Sequence, residues 1–314
     1  MSEFNSINEA LIKPNIVKKL NLSINNLEYL PVDILKFCNL ESLDISNNNI
    51  KKLPEFFSKI NRLQCLNLSN NPWDFLPKEL TKISLSLKAL YICGCNISEI
   101  PKEITNLKNL EYLSLVMNNL SDISDVISDL KNLKEIVLSE NNIKFNDNDI
   151  KNLSKVKLLN ILVLSENNID KLPDSIFSLK SLIELNLSCN RIEVLPESIS
   201  KMSNLKYLDL GSNNLKYIPK EIGNLLNLKT LDLMENEIES IPKEIGNLTN
   251  LENLILRKNN IPYLPDEIIY LKSLRNLDIY GNGIENDIER LKFINNRLPN
   301  LNIKTFGKSY FISS

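Results

Sequence analysis

The chain has 314 residues, 43% of them apolar, so it can bury a large core and is not disordered by composition. Its net charge of −2 makes no electrostatic case for nucleic acid or an anionic membrane, and no stretch approaches the roughly 18 consecutive apolar residues of a membrane span. It holds no histidine, which removes the commonest general base, the histidine-based nucleophilic triads and every histidine metal site.

The opening, MSEFNSINEALIKPN, has neither a basic start nor an apolar core and does not read as a secretory signal. Phe4, Ile7 and Leu11 fall at helical spacing, which predicts a short helix over 4–12 within a cap over 1–16. From Val17 to residue 285 the chain copies itself twelve times, starting at Val17, Leu40, Leu63, Leu87, Leu110, Leu133, Leu159, Leu182, Leu205, Leu228, Leu251 and Leu274. Most units are 23 residues long and fit LxxLxLxxNxLxxLPxxIxxLxN, a pattern that reads as a leucine-rich repeat.

The spacing fits neither a helix nor a strand because one period mixes two geometries. Around the second and third leucines a short strand turns its leucines inward and their neighbours outward. The remainder returns as an extended or 3₁₀-like segment that enters the same core from the other side. No unit can bury its own leucines, so the units must stack into a solenoid with one parallel sheet. Asparagine recurs at the ninth position, from Asn25 to Asn282, and its amide can satisfy backbone groups left open where each strand turns; the fourth unit has Cys95 there. A recurring Leu-Pro step, Pro31 through Pro265, holds the returning segment extended.

Three units depart from this. The third is one residue longer than the period, around ISLSLK; the fifth and sixth lack the Leu-Pro step, and the sixth stretches to 26 residues through KFNDNDIKNLSKVKL. Repeat decay in a surface loop explains this, and a bend or second contact site on the convex side is the alternative. In the segment 286–314, NDIERLKFINNRL places Ile288, Leu291 and Ile294 on one helical face and LNIKTF supplies a last edge strand, a C-terminal cap. The expectation is one continuous, capped domain with no attached enzyme.

The units IPKEIGNLTN, IPKEIGNLLN and LPDEIIYLKS resemble the Leu-Pro-containing 23-residue class of leucine-rich repeats, over about residues 17–303. That class is shared by bacterial repeat proteins, the plant intracellular Ras-group proteins and the Ras-associated and Scribble-type scaffolds of animals. The resemblance implies an α/β repeat solenoid, a horseshoe with a concave parallel sheet and a 3₁₀ or extended convex side. It also implies partner binding on the concave sheet without catalysis, and, by analogy, a regulator or scaffold for small-GTPase or phosphatase signalling. A third reading is a host-interaction effector of a pathogen or large virus, which the asparagine- and lysine-rich composition, a bias that suggests an AT-rich genome, permits.

Outward strand positions form columns across such a sheet. The central column runs Asn21, Asp44, Asn67, Tyr91, Ser114, Val137, Val163, Asn186, Asp209, Asp232, Ile255 and Asp278. It is mostly polar, and the apolar run through Tyr91, Val137 and Val163 departs from that. Tyr112, Val116, Met117 and Ile161 add to the same face, and an exposed apolar patch calls for a partner. A second, mixed patch comprises Tyr207, Met234, Ile255 and Tyr280 with Arg257, Lys258 and Arg275. Between them run Glu135, Glu140, Glu166, Glu184, Asp209, Asp232 and Glu235, an arrangement that suits a folded protein of complementary charge. Cys93 and Cys95 cannot share a metal ion, since the one faces out and the other in; Trp73 reads as core. No catalytic residue, cofactor or metal is expected. The cysteines are odd in number and scattered, which points to reduced thiols in a cytoplasm, the host's if the source is a virus or pathogen. The partner is expected to be a protein, neither nucleic acid nor membrane, and the chain itself a monomer.

Overall fold

The computed structural model describes residues 3–73, 76–83, 85–305 and 308–310; Phe306, expected to end the last strand, lies outside them. The chain divides into two compact units, Met1–Ile143 with Lys151–Leu159 and Lys144–Ile150 with Asn160–Ser314. The division falls in the irregular sixth repeat.

The first unit carries strands β1 (Glu3–Phe4), β2 (Lys19–Asn21), β3 (Ser42–Asp44), β4 (Cys65–Asn67), β5 (Ala89–Tyr91), β6 (Tyr112–Ser114) and β7 (Glu135–Val137), with helix α1 (Ile7–Ile12) after β1. These strands lie in chain order, and every consecutive pair is parallel. Helix α2 (Asp147–Leu153) follows, and the boundary between the units runs through it.

The second unit carries β8 (Ile161–Val163), β9 (Glu184–Asn186), β10 (Tyr207–Asp209), β11 (Thr230–Asp232), β12 (Asn253–Ile255) and β13 (Asn276–Asp278). Helix α3 (Ile288–Arg297), β14 (Asn302–Thr305) and β15 (Lys308–Tyr310) complete it. Strands β8 to β14 are parallel neighbours in chain order, and β15 turns back antiparallel on β14. Each unit is therefore a leucine-rich-repeat solenoid with three-residue strands and 3₁₀ turns, as the sequence predicts.

The unit starting at Leu228 shows why the leucines are so spaced. Leu228, Leu231, Leu233, Ile238, Ile241, Ile245 and Leu248 are all buried, some from the strand and some from the 3₁₀ turn Lys243–Asn247. The turn starts where Pro242, at φ −67°, precedes it in extended backbone, which the proline ring enforces. In the fifth repeat Ser124 takes the proline's place at φ −50° and ψ 147°, so the turn forms without it.

The recurring asparagines join one repeat to the previous one. Asn213 Nδ2 donates to the carbonyls of Leu187 (3.0 Å), Leu210 (3.1 Å) and Gly211 (3.2 Å), while its Oδ1 accepts the Ile192 N–H at 3.0 Å. Asn48, Asn71, Asn118, Asn141, Asn190, Asn236, Asn259 and Asn282 repeat this scheme across their own neighbours. Asn25, in the first repeat, is exposed, and its amide donates to Ser23 O at 2.9 Å. The residue before each such position, among them Asn47, Met117, Glu166 and Lys258 at φ 52–56° and Gly281 at 74°, lies in the left-handed region, the turn that aims the next side chain inward.

Four expectations change. Phe4 is in β1, paired with Leu20, not in the helix, which begins only after Ser6 caps it by accepting the Glu9 N–H at 3.2 Å. In α3, Leu291 and Ile294 are buried but Ile288 is 48% exposed, because it sits in the first turn, where the helix emerges. The strand of LNIKTF is not the edge, since β15 covers it. The sixth repeat forms an α-helix where decay into loop was expected. There Asn146 Oδ1 accepts the Asn148 N–H at 2.8 Å and Asp149 Oδ2 returns to the Asn146 N–H at 2.8 Å, a reciprocal cap that starts α2.

Candidate partner-binding face

The exposed face of each sheet is built from side chains at the first and third strand positions and from the turn that follows. Its central column has a structural default. Asn21, Asp44, Asn67, Asn186, Asp209, Asp232 and Asp278 each accept, through Oδ1, the N–H of the residue two places on, at 2.9–3.2 Å. This local cap closes the turn after the strand. Tyr91, Val137, Val163 and Ile255 have no amide or carboxylate with which to do it, so their presence in the column is not explained by the turn.

In the first unit these departures gather. Tyr91 stands opposite Ser114 in the register, and Tyr112 opposite Ala89. With a small residue beside each tyrosine, the rings lean together at 4.8 Å between centroids and 37° between planes. Ser114, on the same face, is 3% exposed, with its hydroxyl 3.2 Å from Cys93 Sγ. Val137 lies in register with Ser114, Val116 lies beyond β6 in the turn, and Met117 is 53% exposed. Gly94, at φ 62°, lies beside it, and its missing Cβ leaves the space that the Asn70 side chain takes, since an added Cβ would fall 2.1 Å from Asn70 Oδ1. Tyr91, Tyr112, Val116, Met117 and Val137 thus form one patch in this unit.

Burial raises the Tyr112 phenol to about 12, against a hydrogen bond with Ser114 that lowers it; Tyr91 and Glu135 add to the rise. Tyr91 is raised by the same cause, then by Cys65 and Glu135. Both phenols therefore stay protonated and able to donate at neutral pH.

In the second unit Ile161 and Val163 sit on β8, half-buried, with Glu184 and Asn186 as their register partners on β9. Tyr207 is 43% exposed, between Glu184 and Thr230. Arg257 places its guanidinium over the Tyr280 ring, 4.6 Å from the centroid, and Lys258 is paired with Glu235 at 2.5 Å. Much of the expected basic end is therefore engaged within the chain, while Arg275 is exposed. Met234 fills the space over Gly211, where a Cβ would meet it at 2.9 Å. Burial raises the Asp232 carboxyl to about 6, with Asp209 and Asp278 adding to the rise.

Two features escaped the sequence reading. Large apolar side chains recur at the thirteenth repeat position, Tyr29, Val194, Tyr217 and Tyr263, each more than 60% exposed on the flank of its unit; the VLP, YIP and YLP triplets are their signal. The second unit also holds an open groove of about 580 Å³ beside the start of α2, lined by Lys144, Phe145, Lys171 and Arg191 among others. The pair Cys93 and Cys95 separates as expected: Cys95 is buried and Cys93 lies on the face. Among the described residues no three acidic, cysteine or histidine side chains gather as metal ligands, and no helix is long and apolar enough to cross a membrane.

A stack of short parallel strands joined by asparagine-pinned turns defines a repeat solenoid with an open sheet face. The chain belongs to the leucine-rich repeat family: a leucine-rich repeat family model matches residues 16–72, 86–143 and 157–215, and a leucine-rich repeat region model matches 197–305. Among solved structures it is similar to a leucine-rich repeat protein of Leptospira interrogans, 27% identical over 97% of this chain and 100% of the other, with a TM-score of 0.53. An internalin of Listeria monocytogenes is 20% identical over 97% and 94% of the two chains, with a TM-score of 0.74. A chain in the octameric complex of latrophilin 3, Unc5D and the repeats of FLRT2 is 23% identical over 92% and 90%, with a TM-score of 0.73. The last two likenesses are of fold alone. Comparison with curated protein sequences returned no match.

Proposed function

We propose that this protein is a non-catalytic interaction module that holds a partner protein on its exposed sheet face, centred in the first unit on Tyr91 and Tyr112. The observation that carries this is the patch itself. Two tyrosines and Val137 occupy a face otherwise given to small and polar groups, and Met117 is left more than half exposed beside them. Tyrosine and methionine are the side chains that interfaces favour, and a lone solenoid gains nothing by exposing them. The FLRT2 repeats occur in an octameric complex with latrophilin 3 and Unc5D, which supports reading this fold as a platform for protein assembly. Ile161, Val163, Tyr207, Arg257 and Tyr280 of the second unit belong to the same proposal as further contacts. So do a monomeric state and a cytoplasmic location, which the odd, scattered cysteines support.

The test is affinity purification of the intact chain against its native lysate, beside a Tyr91→Ala/Tyr112→Ala variant with an unchanged circular-dichroism spectrum. Loss of each aromatic anchor is expected to weaken the captured complex by about 1–3 kcal/mol. A variant that retains the partner undiminished rejects this face. Copurification with a small GTPase, a phosphatase or a host protein would decide which regulatory role the module serves.

A further inference from the structure

We infer that the open groove beside the start of α2 is a second docking site, separate from the tyrosine patch, for an acidic peptide segment that carries an apolar side chain among its carboxylates. All the residues that line it belong to the second unit. Elsewhere in that unit the extended segment before one 3₁₀ turn lies along that of the next repeat, as Tyr217 pairs with Ser240. The sixth repeat lacks this segment. After Phe145 the chain turns at once into α2, so residues 144–147 form one wall, and Ile169, Leu172 and Pro173 of the next repeat are left to form the other. The volume of about 580 Å³ falls within the roughly 300–1,000 Å³ of ligand clefts.

Phe145, Ile169 and Leu172 are buried, so the floor of the groove is apolar. Lys144, Lys171 and Arg191 are exposed around it, and among the described residues none of them has an ion pair or a side-chain hydrogen bond. Two carboxylates also line the groove. Asp147 accepts the Ser175 hydroxyl, and Asp170 is exposed and pairs with none of the three cations. Elsewhere in the same unit cations find partners within the chain, Lys229 on Glu252 at 2.8 Å and Arg290 on Asp266 at 2.7 Å. Here a surplus of positive charge stands over an apolar floor, and that combination selects the occupant. A carboxylate can take two N–H groups of Arg191 in parallel while an apolar side chain of the same segment covers Phe145 and Leu172. A compact anion such as phosphate would leave the floor in water, and a nucleic acid would need a basic surface that a chain of net charge −2 does not offer.

The experiment titrates the intact chain against a fluorescent peptide EDLDE at low salt, read by anisotropy, beside the uncharged peptide QNLNQ and the peptide EDGDE, which lacks the apolar side chain. EDLDE is expected to bind saturably, and each control about tenfold more weakly, through lost charge-assisted bonds in one and lost apolar burial in the other. Arg191→Gln and Lys171→Gln, each with an unchanged circular-dichroism spectrum, should weaken EDLDE by about the same factor. The Tyr91→Ala/Tyr112→Ala variant should bind it as the native chain does. No saturable binding, equal binding of QNLNQ or EDGDE, or full binding by both groove variants overturns the inference, and so does displacement of the peptide by an equal concentration of inorganic phosphate. Those failures leave the tyrosine face standing as a partner site. Loss of EDLDE binding in the tyrosine variant would place the acidic segment on that face and overturn the groove as its site.

Discussion

At the scale of single residues, the ninth repeat position shows how this fold tolerates an exception. Where an asparagine would donate across the repeat boundary, Cys95 offers one thiol, 3.8 Å from Leu68 O and 3.2 Å from Cys93 O. The donor it fails to supply comes from the preceding repeat: Trp73, buried in the place of a core leucine, gives its indole N–H to Leu68 O at 2.8 Å. Trp73 and Cys95 are therefore one compensated change rather than two. Trp73→Phe should cost about 1–3 kcal/mol, the price of a buried carbonyl losing a good donor plus some volume. In a Cys95→Asn background the same change should cost markedly less, because Nδ2 then reaches the carbonyl. A urea-denaturation double-mutant cycle reads the difference, and additive costs would disprove the coupling. The sequence shows Trp73 to be core and Cys95 to be an allowed substitute, but not that one answers for the other. That relation depends on an indole crossing five residues back to a carbonyl, which no repeat template encodes. The tyrosine pair was half legible for a similar reason. Alternation places both rings on the open face, but their mutual lean follows from the register, which sets Ala89 and Ser114 beside them.

At the scale of elements, strands, 3₁₀ turns and core leucines follow from the 23-residue period alone, because each is repeated and each failure would be repeated too. The elements misread are those that occur once. Helix α2 begins with Asn146 and Asp149 three apart and buries Ile150 and Leu153 three apart, a helix start with an apolar face that the repeat consensus does not contain. The turns also differ among themselves in a way that the consensus hides. Gly223 and Gly246 occupy a position filled elsewhere by Phe177 and Ile269, and they do so because the neighbouring turn comes close. A Cβ on Gly223 would lie 2.4 Å from the backbone oxygen of Glu244, a group that cannot swing aside. Gly223→Ala should accordingly destabilise the protein by about 1–3 kcal/mol, although alanine has the better intrinsic propensity in a helical turn. Equilibrium denaturation showing no loss, or a gain, would mean the adjacent turns separate without cost.

At the scale of the whole molecule, the absence of histidine shapes the response to pH. With no imidazole in 314 residues, a titration near pH 6 has to come from a displaced carboxyl, and Asp232 is displaced to about 6 from 3.8. Burial of its carboxyl is the main cause; the N–H of Met234 opposes it, and the charges of Asp209 and Asp278 reinforce it. The folded state thus holds this proton more tightly than the unfolded chain does. Below the unfolded value the group is neutral in both states and contributes nothing. As pH rises from about 4 to 6 the unfolded chain ionises first, so the native state loses ground, and above 6 the whole penalty is present. Because Asp232 is half-buried and not wholly removed from water, the penalty is discounted for solvent screening to about 1–2 kcal/mol. Asp232→Asn keeps the Oδ1 acceptor for the Met234 N–H and removes the charge. The variant should therefore be more stable than the native chain by that amount at pH 7.5, with the advantage fading to nothing near pH 4. Urea denaturation of both proteins at the two pH values makes the comparison. A constant offset would assign the effect to packing, and a destabilised variant at pH 7.5 would show that the charge is held favourably by the face after all.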